Sequence, residues 1–337
     1  MSKSDSASQI LKASEKSGKT YSFDEDHDEN RPAQMWFQES NEGLILFIVF
    51  YTQACRWSKC LGCNLPSKCS QFHVGYRALI LQIDHVFSSP EVAKQRNDIK
   101  KLIISNNGSI LDEATFSSTA LIYLIARVNM TLPNLSILSL ETRPEYVDFA
   151  ELEFLSRALE EGDTPTELEL ALGFEAFDKR IRNEVFNKGL SLDVFEELVV
   201  KITGYGFRLK CYFMQKPVPG MSDEEAVLDV QQGIDYLSEL AKKHGIKINM
   251  HLNPTYAASG TLLAKDFREG NYKPPKLVDV SRAAIHAEGK NISVFIGLFD
   301  EGLAIPGGSF IRDGEEALVR KIEMFNRTQD FKHLQVD

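Results

Sequence analysis

The sequence predicts an α/β fold, a partial (βα)6 barrel followed by a C-terminal α/β extension. Two observations predict it. Short apolar, β-branched runs recur along the chain, and longer segments of helical period separate them, the signature of a mainly parallel sheet wrapped by helices. No repeat of 20 to 50 residues lies beyond that rhythm. Six βα units are too few for a closed eight-fold barrel, yet such a sheet can curve into an open one that presents chemistry at its C-terminal strand ends.

Residues 1–40 read as a disordered or irregular tail. Met1 to Arg31 is rich in Ser, Lys, Asp and Glu and lacks the apolar core of a secretory signal. The barrel is assigned to 41–255, with strands at 44–51, 102–105, 135–140, 168–174, 209–214 and 246–252. Helices are predicted between them at 76–87, 117–128, 149–159, 192–203 and 224–243. Asn253-Pro254-Thr255, Gly260, Gly270 and Pro274-Pro275 are turn chemistry that ends the repeat. Residues 256–337 are therefore read as an extension packed on the barrel, with a helix at 277–287, a strand at 292–298 and a helix at 315–325.

Lys and Arg total 38 against 48 Asp and Glu, a net charge of −10. That is the wrong sign for gripping a phosphate backbone unaided. The longest apolar run, 44–51, is far short of the roughly 18 residues of a membrane span, so no membrane is expected. Of five cysteines, three fall within nine residues, which in a chain without a signal points to metal rather than disulfides and to a reducing cytoplasm.

That stretch, Cys55-Arg56-Trp57-Ser58-Lys59-Cys60-Leu61-Gly62-Cys63, directly follows the first barrel strand. Thiolates are the soft ligands iron-sulfur clusters require, and three of them on a four-iron cluster leave one iron open. The competing reading is a structural zinc site completed by Cys69, in a non-enzymatic binding module. The C-x4-C-x2-C-x5-C spacing lacks the paired CxxC knuckles of zinc ribbons. Cys211, alternating within a strand, reads as a buried core thiol.

A three-cysteine loop after the first strand, ending in C-x2-C, resembles the radical S-adenosylmethionine (SAM) superfamily. Here the first gap is four residues rather than three, and Gly62 stands where an aromatic residue is usual. Ser105-Asn106-Asn107-Gly108-Ser109 lies in the place of the superfamily's glycine-rich segment, Glu141-Thr142-Arg143-Pro144-Glu145-Tyr146 is similar to a stretch of the elongator catalytic subunit, and Gly173-Phe174-Glu175 with Asn187-Lys188-Gly189 is similar to the strand-four segment. Tyr212 to Pro217, Ser222 to Ala226, Asn253-Pro254-Thr255 and Tyr272 to Pro275 resemble most the radical SAM subunit of archaeosine synthase.

The resemblance implies a [4Fe-4S] cluster on Cys55, Cys60 and Cys63, with SAM chelated to the open iron. It implies SAM contacts from Asn107, Gly108, Glu141, Arg143, Glu175 at the ribose and Lys188 at the carboxylate. Each also has an ordinary reading: Glu141 and Arg143 as a surface pair, Lys188 as a helix-end residue. A one-electron reductant would convert SAM to methionine and a 5′-deoxyadenosyl radical that abstracts substrate hydrogen. The implied reaction is lyase-type C–N cleavage of a lysine-modified deazaguanine base in tRNA. A partner subunit would then supply the grip on tRNA. A small amine-bearing metabolite is the alternative substrate, and a fold that holds SAM without radical turnover is a further alternative. The acetyltransferase domain of the elongator subunit has no expected place after Leu298. Lys216 and Asn253 end strands five and six, where barrel strands present catalytic groups. His251 reads as a packed histidine, and the acidic run at 24–30 as solvated.

Overall fold

The computed structural model describes residues 3–335, so the outermost two residues of the expected tail and extension lie outside the described residues. The elements in order are α1 (Lys3–Lys16), β1 (Gln34–Ser40), β2 (Gly43–Val49), α2 (Tyr76–Phe87), α3 (Pro90–Gln95), β3 (Ile99–Ser105) and α4 (Ser118–Thr131). They continue with β4 (Ile137–Thr142), α5 (Phe149–Leu159), β5 (Glu167–Glu175), α6 (Leu192–Gly204), β6 (Arg208–Gln215) and α7 (Asp223–His244). The last are β7 (Ile248–Pro254), α8 (Leu262–Arg268), α9 (Leu277–Ile285), β8 (Ser293–Ile296) and α10 (Glu316–Thr328). The strands are hydrogen-bonded in chain order from β1 to β8. β1 runs antiparallel to β2, while the pairs β2–β3, β3–β4, β6–β7 and β7–β8 are parallel.

Local chemistry sets the helix starts. The side chains of Ser89, Ser117, Asp148, Ser191, Ser222 and Thr261 each accept a backbone N–H of the first turn, and Ser222 with Glu225 forms a full capping box on α7. α7 ends on Gly245 in the left-handed conformation that suits a C-cap. β2 and β3 are largely buried on both faces, as strands of a covered parallel sheet are.

The chain divides into two compact units, and the division falls within β5 between Ala171 and Leu172. The first comprises Met1–Ser14, Ser22–Ser58 and Leu65–Ala171. Its strands pack Ile45, Phe47, Val49 and Ile103 into one cluster, and Lys101 is buried between Glu42 and Glu169, 2.7 Å from each. The second comprises Glu15–Tyr21, Lys59–Asn64 and Leu172–Asp337. There Phe174 stacks on Phe213 with ring centroids 4.7 Å apart, and Phe195 meets it edge-on.

The first 40 residues are corrected by the structure, because they carry α1 and β1. A polar helix needs little apolar surface to dock: Ile10 is fully buried against Ala54 and Cys69. β1 is held by its ladder to β2 and by Trp36 stacked on Phe47 at 4.2 Å. The parallel ladder also continues past the turn-rich stretch, since β8 pairs with β7. The short helices α3 and α8 escape a reading by period, which needs more turns than they have. Among the described residues no helix is long and apolar enough to cross a membrane.

Candidate functional site

The cysteine loop follows β2, and each half has its own anchors. In the first unit, Arg56 makes a bidentate ion pair with Asp112 at 2.6 and 2.7 Å and stacks over Tyr146 at 5.1 Å. Arg143 lies over Trp57 at 4.5 Å and donates to Glu145 at 2.5 Å. The two arginines thus cross, one from the loop onto the segment after β4 and one back, tying Cys55 to that strand end. Burial, then the Asp112 charge, pushes the Tyr146 phenol up to about 12, so it stays protonated at neutral pH. In the second unit, Leu61 donates its N–H to Phe186 O at 2.8 Å, and Cys60 and Leu61 pack on the cluster of Ala176, Ile181 and Val218.

Cys55, Cys60 and Cys63 are half-buried and form no disulfide, whereas Cys69 and Cys211 are buried. The Cys69 thiol is directed at Leu65 O and Asn106 O, 3.7 and 3.8 Å away. Among the described residues no three His, Cys, Asp or Glu side chains form a group that could hold a metal ion. A single ion draws its ligands onto one atom, while each thiolate of a four-iron cluster binds a different iron and stands further from the others.

Gly108, after β3, approaches this loop closely: a Cβ there would lie 3.2 Å from Cys55 Cα. Asn107 beside it is in the left-handed region, φ 57°, with its N–H donated to Ser105 Oγ. Neighbouring Asn106 is buried, and its Oδ1 has no hydrogen-bond partner. Glu141, at the end of β4, is half-buried and its carbonyl accepts from Ile110 N at 2.8 Å.

At the end of β5 the structure brings two predicted residues together. Lys188 Nζ lies 2.7 Å from Glu175 Oε1, both side chains nearly buried, and Glu175 has φ 75°. Gly173 makes room for them, since a Cβ there would stand 2.1 Å from Lys188 Nζ and 2.3 Å from Glu175 Oε1. The chain between them makes a π-helical turn at Arg180–Val185. Buried Arg182 donates to the carbonyls of Ala176, Phe177 and Leu190, and Asp229 of α7 accepts the N–H groups of Phe177 and Asp178. Burial raises the Asp229 carboxyl, partly offset by those two N–H groups.

After β6, Lys216 is buried with φ 61° and pairs with Asp223 at 2.6 Å. Burial opposes the ionised Asp223, but Lys216 outweighs it and holds that carboxyl below its usual range. Tyr272 donates toward Lys216 O and Thr255 O at 3.1 and 3.3 Å. Asn253 sits on β7 in register with Met214 of β6. Sequence reasoning passed over Gln215 and Thr255, although Gln215 Oε1, Gln215 Nε2 and Thr255 Oγ1 are buried without hydrogen-bond partners. Strand-end position was the available signal for both. Asn107, Glu175 and Lys216 all take positive φ, strain that collects where a fold holds residues for function.

No family model matches the chain. An uncharacterized protein of Methanocaldococcus jannaschii is 23% identical over 322 residues, 92% of this chain and 85% of that protein. Archaeosine synthase subunit beta of Methanosarcina acetivorans is 25% identical over 265 residues, 76% of this chain and 72% of that protein. Among solved structures, queuine lyase from Clostridium spiroforme bound to SAM and queuine has a TM-score of 0.51 at 16% identity, covering 81% of this chain and all of that one.

Proposed function

From the likeness to archaeosine synthase subunit beta and to the fold of queuine lyase, we propose that this chain is a radical SAM enzyme of the archaeosine synthase branch with a specific reaction. It holds a [4Fe-4S] cluster on Cys55, Cys60 and Cys63, cleaves SAM reductively, and breaks a C–N bond of a lysine-modified deazaguanine base in tRNA. The observation that carries the reading is the placing of three half-buried cysteines on one loop directly after β2, while Cys69 is buried. Held there, such a cluster would supply the one electron that reductive cleavage of SAM to methionine and a hydrogen-abstracting 5′-deoxyadenosyl radical requires.

The chain's own groups bind and orient. Gly108 and Asn107 offer close backbone approach beside Cys55, Glu141 meets the polar end of SAM, and Glu175 takes the ribose hydroxyls. The ammonium of Lys188, paired with Glu175, suits the SAM carboxylate by charge. Arg143 keeps Trp57 and hence the loop in place. Lys216 and Asn253 face the substrate, with the ammonium of Lys216 paired to Asp223. A partner subunit supplies the phosphate contacts. The net charge of −10 favours a second reading, in which the substrate is a small amine-bearing metabolite.

Anaerobic reconstitution with iron and sulfide tests this. The protein should turn brown and, with dithionite and SAM, release 5′-deoxyadenosine. Ala at Cys55, Cys60 or Cys63 should abolish both signals, whereas Cys69→Ala and Cys211→Ala should keep them. Zinc in place of iron, with equal metal loss from Cys69→Ala, overturns the proposal.

A further inference from the structure

In the second unit the two faces of β6, β7 and β8 differ sharply. One carries Leu209, Cys211, Phe213, Met250, Leu252, Val294 and Ile296, all buried, with Phe213 pressed against Gly233 of α7. The opposite face is layered by the strand register. Its floor is a hydrogen-bonded row in which Lys210 donates to Asn249 at 2.7 Å and Asn249 donates to Ser293 at 2.9 Å. Above it Tyr212, His251 and Phe295 are register partners, with ring centroids 5.0 and 4.7 Å apart. The next row pairs Met214 with Asn253, whose Oδ1 fills the space that a side chain at 297 would take. Lys216 and Thr255 stand last, at the strand ends.

Tyr212, Met214, Asn253 and Phe295 all remain half-buried, while the residues of the other face are sealed. Thr255 is the second observation: it is almost fully buried, and its Oγ1 has no partner within the protein. A buried hydroxyl left unmatched costs stability, and a ligand that bonds to it recovers that cost. Aromatic rings in a row offer a stacking platform to a flat ring system, and an amide beside a hydroxyl can match the donors and acceptors along a base edge.

We propose that the Tyr212–His251–Phe295 row is a shelf for a planar nitrogen heteroaromatic base, whose edge is read by Asn253 and Thr255. The inference rests on the substrate side of the function given above and assigns its recognition residues. The test uses the full-length reconstituted protein with SAM and free 7-deazaguanine as the probe in equilibrium dialysis. Wild-type protein should retain the base. Tyr212→Leu and Phe295→Leu should each weaken retention by roughly tenfold, the scale of one lost stacking contact. Tyr212→Phe keeps the ring and should keep most of the binding.

Thr255→Val separates ligand recognition from structure. Its hydroxyl makes no hydrogen bond of good geometry, and the nearby Tyr272 phenol also reaches the Thr255 carbonyl, so the variant should melt close to wild type and yet bind the base more weakly. Wild-type protein that cleaves SAM but lets the base pass overturns the shelf alone, as does retention that is equal in the Leu variants. Protein that holds the base but releases no 5′-deoxyadenosine overturns the radical reading and leaves the shelf standing.

Discussion

One methyl group at position 173 is enough to test the charged pair at the end of β5. The space that a Cβ would need is already taken by Lys188 Nζ and Glu175 Oε1, so Gly173→Ala has to move both. If the pair serves SAM, Gly173→Ala should weaken SAM binding as much as Lys188→Ala does. A charge-assisted contact of about 1.5 to 3 kcal/mol corresponds to roughly tenfold or more in affinity. Equilibrium dialysis with labelled SAM measures it, and unchanged affinity in both variants removes the pair from the SAM site. Glu175 and Lys188 were legible because they sit in a recognisable segment. Their contact with each other was not, since 13 residues and a π-helical turn separate them. Thr255 was illegible for a different reason: nothing in a sequence marks a hydroxyl that folding leaves without a partner.

At the scale of elements, the turn after β5 depends on α7. Asp229 accepts two N–H groups of that turn at 3.0 and 2.7 Å, so Asp229→Ala should cost about 1 to 3 kcal/mol for each donor stranded. The pH dependence follows from the raised carboxyl, whose ordinary value is 3.8. The folded state holds this proton to higher pH than the unfolded chain, so this group's contribution falls as pH rises through the window just above 3.8. Asp229→Asn loses one acceptor at every pH but has no such slope. In urea denaturation its stability relative to wild type should therefore rise through that window and then level off. A flat difference would mean that Asp229 ionises as readily in the fold as outside it. Elements of this size were the legible part of the chain. α2 and α5 lie at the residues their period predicts, each with an apolar stripe, and the side-chain caps Ser89, Ser117, Ser191, Ser222 and Thr261 mark where α3, α4, α6, α7 and α8 begin. α1 was hidden because composition averaged over a polar stretch conceals a single docked position, Ile10. β1 was hidden because an edge strand with little burial lacks the apolar run that marked the others.

Across the whole molecule, charge sets how tRNA can be held. A net charge of −10 works against an unaided grip on phosphates, while the archaeosine synthase relative is named a subunit. In the proposed reading a basic partner carries the phosphate contacts and this chain supplies the radical site. Each single-strand phosphate neutralised contributes a slope of about −0.7 in log affinity against log salt, while a small molecule buried in the protein responds weakly. SAM cleavage stimulated by lysine-modified tRNA should therefore need the partner and fall steeply between low and moderate salt. Binding of a free base or amine to this chain alone should change little over the same range. 5′-Deoxyadenosine release, measured across a salt series with and without the partner, separates the cases. Weak salt dependence together with turnover of a free amine would assign the small-molecule reading, and absence of tRNA-stimulated cleavage at every salt would end the tRNA proposal while leaving the three-cysteine cluster to its own test.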